Sequence, residues 1–224
     1  MFKEMQVDMI DVHGDDLMVV NAARVSFDKE SNWGISDDGT RNELLEKDDK
    51  LISYLARHNH WTPFGHPTIT LRETVPIWVA RERMRSNVGF VYNEVSRRYV
   101  DSPPEYYIPA LYQRVENLKQ GSSDKVVENA EELDKTLQKY FAATADMYEA
   151  LLKDGVAPEQ ARCVLPVAHM TSYYVTGSLA AFARIRNLRA HESAAKEMQW
   201  MAMAWDAVIA PFFPDSWKAL TADD

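Results

Sequence analysis

Apolar side chains recur at three- and four-residue steps through most of this chain and at two-residue steps in two places. Residues 4–12 carry Met5, Val7 and Met9 on alternate positions, and Thr68, Thr70 and Arg72 alternate with Ile69, Leu71 and Glu73. Alternation of this kind predicts strands. Elsewhere the spacing is helical. Asp16 is the expected N-cap of a helix bearing Leu17, Val20 and Ala23, and a second helix over 43–57 points Leu44, Leu51, Ile52 and Leu55 inward. Pro76 suits the first turn of a third helix that runs through Arg85 and is closed by Gly89, because the missing N–H is no loss there. The longest periodic stretch, 123–152, repeats Val126, Ala130, Leu133, Leu137, Tyr140, Phe141, Thr144, Met147 and Leu151, with Gly155 as its stop. A short helix from Pro158 is limited by Pro166, and two further helices are expected over 171–189 and 191–209. Residues 119–124 read as a polar surface connection within one core. The predicted class is α+β, a small, mostly antiparallel sheet packed against several helices in a single domain over 1–224.

Charge narrows the partners. Twenty-five Lys and Arg against 34 Asp and Glu leave a formal charge of −9, so the whole-molecule field repels polyanions and any anion site must be local. The single cysteine, Cys163, excludes an internal disulfide and a four-thiolate zinc site. Its apolar surroundings predict a buried, inert thiol. The N-terminal residues mix charge into every short window, and the run from Val75 is halted by Arg81, far short of the ~20 apolar residues a bilayer needs. A cytoplasmic protein is expected.

Three places concentrate chemistry. His58, His60 and His66 crowd one loop with Trp61, Pro63 and Phe64; their spacing is not that of a helical zinc pair, and a packed turn whose histidines bond to backbone is the expectation, with no metal. From Arg81 to Tyr99 there are five arginines in nineteen residues. Trp78, Glu82 and Arg85 share a helix face, while Asn93 to Tyr99 offers amides, a hydroxyl and two guanidiniums, a donor set for a phosphate monoester. A solvated charged face is the plainer meaning of such a run, but Val, Phe, Tyr and Gly are interleaved through it. The third place joins Arg162 to Arg184, Arg186 and Arg189, for which a bound anion or a carboxylate such as Glu192 or Glu197 would serve as partner. Neither a Gly-x-Gly-x-x-Gly turn nor a P-loop occurs.

Taken in order, Ala22-Ala23-Arg24-Val25-Ser26-Phe27, His60-Trp61-Thr62-Pro63-Phe64, Val79-Ala80-Arg81, Asn93-Glu94-Val95-Ser96-Arg97-Arg98-Tyr99, Tyr107-Ile108-Pro109, Ala161-Arg162-Cys163-Val164-Leu165-Pro166 and Asn187-Leu188-Arg189 resemble the flavin-dependent thymidylate synthases. The resemblance implies a homotetrameric α+β enzyme whose active sites form where subunits meet. It implies methylation of dUMP to dTMP with FAD as cofactor, 5,10-methylenetetrahydrofolate as carbon donor and NADPH as reductant, and no cysteine nucleophile.

Residue by residue, the resemblance implies that Glu82, Arg85, Glu94, Val95, Ser96, Arg97, Arg98, Arg162 and Arg189 hold dUMP, with Arg189 at the uracil edge. Ser26, His60 and Thr62 fall to the flavin and folate side, and His60 and Arg189 are the implied catalytic pair. Arg85, Ser86, Asn87, Val88, Glu94, Ser178 and Arg184 complete the implied FAD set. The chain departs from the family pattern where Arg85-Ser86-Asn87 stands in place of Arg-His-Arg, where Gly65 replaces an acidic residue, and where Glu82 takes a position commonly held by glutamine. The altered segment motivates an alternative, hydroxymethylation or another one-carbon modification of a pyrimidine nucleotide. A second alternative is a non-catalytic nucleotide or RNA binder using Tyr92, Arg98 and Tyr99, which the net acidity disfavours.

Overall fold

Strand β1 (Gln6–His13) and strand β4 (Thr68–Pro76) form where the alternation predicts strands, and they pair antiparallel, with Asp8 opposite Arg72 and Met9 opposite Leu71. The computed structural model describes residues 2–35, 39, 42–116 and 121–222. Two further strands complete the sheet, β5 (Phe90–Glu94) and β8 (Met170–Ser178), in the order β1-β4-β8-β5 with every neighbouring pair antiparallel. Ile69, Leu71 and Val75 of β4 and Tyr173 and Val175 of β8 point to one face and are almost wholly buried. The other face carries a polar ladder, Thr70 to Thr176 at 2.8 Å, Thr74 to Ser172 at 3.0 Å, and Arg72 Nε donating to Ser172 Oγ at 3.0 Å. The predicted α+β class holds.

Helices α1 (Asp16–Arg24), α2 (Glu46–Arg57), α3 (Ile77–Met84), α6 (Leu179–Ala190), α7 (Lys196–Ile209) and α8 (Pro214–Thr221) contribute to the layer on the apolar face. The two-residue strands β2 (Gly34–Ile35) and β3 (Asn42–Glu43) lead into α2, so α2 starts later than the expected 43. Arg24 and Ser31 both donate to the buried Asp48 carboxylate, which ties α1 to α2. Long α4 (Ala130–Lys153) packs against α5 (Pro158–Ala161) and gives Phe141 and Ala145 to a smaller apolar cluster with Tyr106. Gly155 closes α4 as expected, at φ +85° with its N–H donating to Leu152 O at 3.0 Å.

Several expectations are corrected. The segment expected as a helix over 171–189 is β8 followed by α6, because no breaker separates them: Ser178 ends the strand and is also the N-cap, its Oγ accepting from Ala181 N. The helix expected from 123 begins at Ala130. Ser122–Val126 is instead β7, paired with β6 (Tyr112–Arg114); residues 119 and 120 of the expected connection lie outside the described residues. Of the predicted α4 stripe, Phe141 is buried while Leu133, Tyr140 and Met147 are exposed. Asp15, not Asp16, caps α1, accepting from Met18 N at 2.8 Å. Asp16 turns inward to accept from the Asp215 and Ser216 amides at 3.0 and 2.9 Å. The helix expected through Arg85 ends at Met84, and Gly89, at φ +85°, serves the turn into β5. Cys163 is exposed, because the Pro158 helix gives way to a single turn over Arg162–Val164 that leaves its side chain outside the core.

Candidate functional site

The polar face of the sheet ends in a cleft of about 570 Å³ between the strand ends, α3 and the segment 95–105. Five of the expected nucleotide residues line it: Glu94, Val95, Ser96, Arg97 and Arg162. Strand pairing brings them there. Glu94 is the last residue of β5, opposite Tyr173, and Val95 N continues the ladder by donating to Ser172 O at 2.9 Å. The chain then turns, Tyr99 N donating to Ser96 O at 3.0 Å and Arg98 N to Ser96 Oγ at 3.3 Å. Thr171 donates to Glu94 Oε1 at 2.7 Å. Arg97 donates to Ser102 O at 2.7 Å and lies over the Tyr148 ring at 5.3 Å, while Arg162 Nε donates to Glu159 O at 3.1 Å.

The cleft also holds cations that sequence reading left unassigned. Lys3, Arg72 and Arg81 line it beside Arg97 and Arg162, against the carboxylates of Glu94 and Glu105. In a chain of formal charge −9 this is a local reversal of sign. The outward position of Arg72 in an alternating strand was the available signal for it. His169 lines the cleft too, its Nδ1 3.3 Å from Pro166 O. Burial chiefly lowers its pKa, and the Arg97 and Arg162 guanidiniums add to the effect. Nothing in the sequence singled it out.

The remaining expected nucleotide residues lie elsewhere. Arg98 pairs with Glu159 at 3.0 Å and its guanidinium stands 5.7 Å from the Tyr99 ring, so Arg98 and Arg162 meet around one residue, outside and inside the cleft. Arg189 is bound to Glu82 instead, Nη1 to Oε1 at 2.7 Å and Nη2 to the Glu82 carbonyl at 3.2 Å, and its Nε is buried without a hydrogen-bond partner. Consecutive helix positions point about 100° apart, so α3 presents Arg81 to the cleft and Glu82 to α6. The carboxylates expected as partners of the third arginine group are not the ones used. Arg186 pairs with Asp206 at 2.9 Å, and Glu197 is largely buried, its pKa raised by burial first and then by the Glu82 charge.

Apart from Glu94, the residues expected to hold flavin do not line the cleft. Ser26 and Thr62 are exposed on turns beside α1 and α6. The histidine loop departs from its expected packing: Pro63 and Phe64 are buried, but Trp61 is 59% exposed, and the rings of His58, tilted, and His60, edge-on, meet Tyr54 at 4.3 and 5.9 Å. Arg85, Ser86, Asn87 and Val88 form the turn after α3, which Arg184 secures by donating to Val88 O at 2.5 Å. The exposed side chains of Tyr54, His60 and Trp61 and the donors along Arg85-Ser86-Asn87 are groups that could meet a flat heterocycle carrying phosphates.

The family described as thymidylate synthase complementing protein matches residues 8–215. The flavin-dependent thymidylate synthase of Thermosipho melanesiensis is 36% identical over 211 residues, covering 92% of this chain and 84% of that protein. That of Thermotoga neapolitana is 36% identical over 216 residues, covering 95% and 89%. The solved structure of the UMP/dUMP methylase PolB from Streptomyces cacaoi bound with 5-Br dUMP aligns with a TM-score of 0.81 at 28% identity, covering 98% of this chain and 96% of that one. The same methylase bound with 5-Br UMP gives 0.83 at 26% identity, covering 97% and 94%.

Proposed function

Because the chain belongs to the flavin-dependent thymidylate synthase family, we propose that it methylates dUMP to dTMP with FAD as cofactor, methylenetetrahydrofolate as carbon donor and NADPH as reductant. The observation that carries this reading is the cationic cleft, in which Ser96, Arg97 and Arg162 offer hydroxyl, amide and guanidinium donors to a dianionic phosphate. Cleft arginines bind and orient the monophosphate. Arg189, held by Glu82, supplies a fixed cation for the charge that develops on the pyrimidine ring during reaction. FAD, when bound, supplies the electrons and relays the one-carbon unit; His60, Thr62, Arg85, Ser86, Asn87, Ser178 and Arg184 are the residues that would hold it. The reading uses no thiol at the pyrimidine; Cys163 is exposed and does not line the cleft of its own chain.

Within one chain Glu82 and Arg189 belong to one surface and Glu94 to Arg97 with Arg162 to another. The reading therefore requires the complete site to form between subunits of a homotetramer. Incubation of the purified protein with FAD, NADPH, methylenetetrahydrofolate and dUMP, followed by mass analysis of the nucleotide, tests the assignment. Conversion to dTMP is expected, with UMP assayed in parallel because the methylase PolB acts on both nucleotides. A hydroxymethyl product would overturn the methylation reading, and no turnover together with no flavin uptake would overturn the cofactor assignment.

A further inference from the structure

His169 stands in the cleft with one ring nitrogen already committed. The Pro166 carbonyl has no hydrogen to give, so Nδ1 carries the proton in the contact between them, and a neutral ring then presents Nε2 as a bare acceptor. The surrounding side chains make an acceptor useful. Lys3, Arg72, Arg81, Arg97 and Arg162 are donors only; the other acceptors lining the cleft include the carboxylates of Glu94, which takes one hydrogen bond from Thr171, and Glu105, which takes one from Lys3, and the hydroxyls of Thr74, Ser96 and Ser172. Adding a sixth positive charge to such a cleft is unfavourable: burial first, with Arg97 and Arg162 adding to it, lowers the pKa of the ring against the opposing contact with Pro166. The charged groups lining the cleft with it are Arg97 and Glu94 from β5 and the segment after it, Arg162 from the turn after α5, Arg72 from β4, Arg81 from α3, and Lys3 with Glu105.

We propose that His169 Nε2 accepts a hydrogen bond from a sugar hydroxyl of the nucleotide whose phosphate Arg97 and Arg162 hold. This rests on the reading of the cleft as a nucleotide monophosphate site. In such a ligand the sugar hydroxyls lie next to the phosphate and the pyrimidine N–H lies at the far end. His169 lines the same cleft as both guanidiniums, and the proposal sets its ring at the sugar. His169 is thus a substrate-binding residue that selects for the hydroxylated sugar.

Calorimetric titration of the full chain with dUMP and with 2′,3′-dideoxyuridine monophosphate tests this. The wild-type protein is expected to bind the dideoxy compound about five- to tenfold more weakly, the worth of one hydrogen bond. His169→Leu is expected to bind both compounds alike, at the weaker affinity, while His169→Gln, whose amide oxygen can replace Nε2, keeps the discrimination. Denaturation midpoints identify a misfolded Leu variant, in which case the Gln variant and the wild-type ratio decide. Discrimination that survives in His169→Leu, or an equal loss on both ligands, overturns the proposal. So does wild-type dUMP affinity that falls as pH rises through the histidine range and no longer does so in His169→Leu, because the ring would then be donating to phosphate. If dUMP binds through Arg97 without discrimination, the cleft reading stands and this proposal falls; if no uridine monophosphate binds, both fall.

Discussion

Arg83 carries a full charge into the middle of the core. It is 0% exposed, caged by Phe90 at 4.3 Å, Trp205 at 5.1 Å, Tyr92 at 5.5 Å and Phe182 at 5.8 Å. Its partner Glu73 lies 3.3 Å from Nε, near enough for Coulombic attraction but not aligned as a hydrogen bond, while Nη1 donates to Tyr92 Oη at 2.7 Å. Removing one charge leaves the other buried and alone. Arg83→Met is expected to lower unfolding free energy by about 3–5 kcal/mol in urea titrations. The double change Arg83→Met with Glu73→Gln should recover most of the loss, since the amide oxygen keeps the Trp205 indole N–H satisfied. His169 gives a pH prediction of opposite kind. Its native pKa lies below the ordinary 6.5, so the unfolded chain binds the extra proton first, and its contribution is complete above 6.5 and lost as pH falls through the native value. Denaturation across that window should show stability decreasing on acidification, with a shallower decrease in His169→Gln. Neither residue was legible in this role: Arg83 looks in sequence like one more member of a solvated arginine run, and only the aromatic cage from three other elements, β5, α6 and α7, removes it from water.

At the scale of elements, the start of α8 is set by a residue from another helix. The two first-turn amides of α8 are satisfied by Asp16, which belongs to α1 at the opposite end of the chain. Burial raises its pKa while those bonds lower it, burial being the larger influence. Asp16→Ala should cost about 1–2 kcal/mol of unfolding free energy by chemical denaturation, the usual worth of a lost cap. Asp15→Ala, at the cap of α1, should cost a similar amount independently. Sequence patterning located β1, β4, α1, α2 and the C-terminal part of α4, because each has a period that local chemistry makes visible. It merged β8 with α6 because inward Thr171, Tyr173, Val175 and Gly177 run straight into an apolar helix with only Ser178 between. β5 was invisible as a strand, since Phe90–Glu94 is short and owes its conformation to pairing with β8.

For the whole molecule, the two groups proposed to bind nucleotide are apart in one chain, Glu82 and Arg189 outside the cleft that Glu94 to Arg97 and Arg162 line, and the proposed reaction requires them to meet in an assembly. Arg97→Ala and Arg189→Ala should each reduce dTMP formation by about a hundredfold or more. Mixing the two inactive variants under conditions that allow subunit exchange should restore part of the activity, because some sites then combine an intact cleft with an intact Arg189. No recovery after demonstrated exchange would place both groups in one chain's site. Sequence alone determined the α+β class, the early strands and the family, and it marked Asn93 to Tyr99 as a candidate donor segment, since residue order and local periodicity survive without coordinates. Tertiary structure decided that Arg72, Arg81 and His169 share the cleft with Arg162, that Glu82 occupies Arg189, and that Arg83 is core. Each of these joins residues distant in sequence or turns neighbouring residues to opposite faces, and burial and pairing across elements leave no periodic trace in the chain.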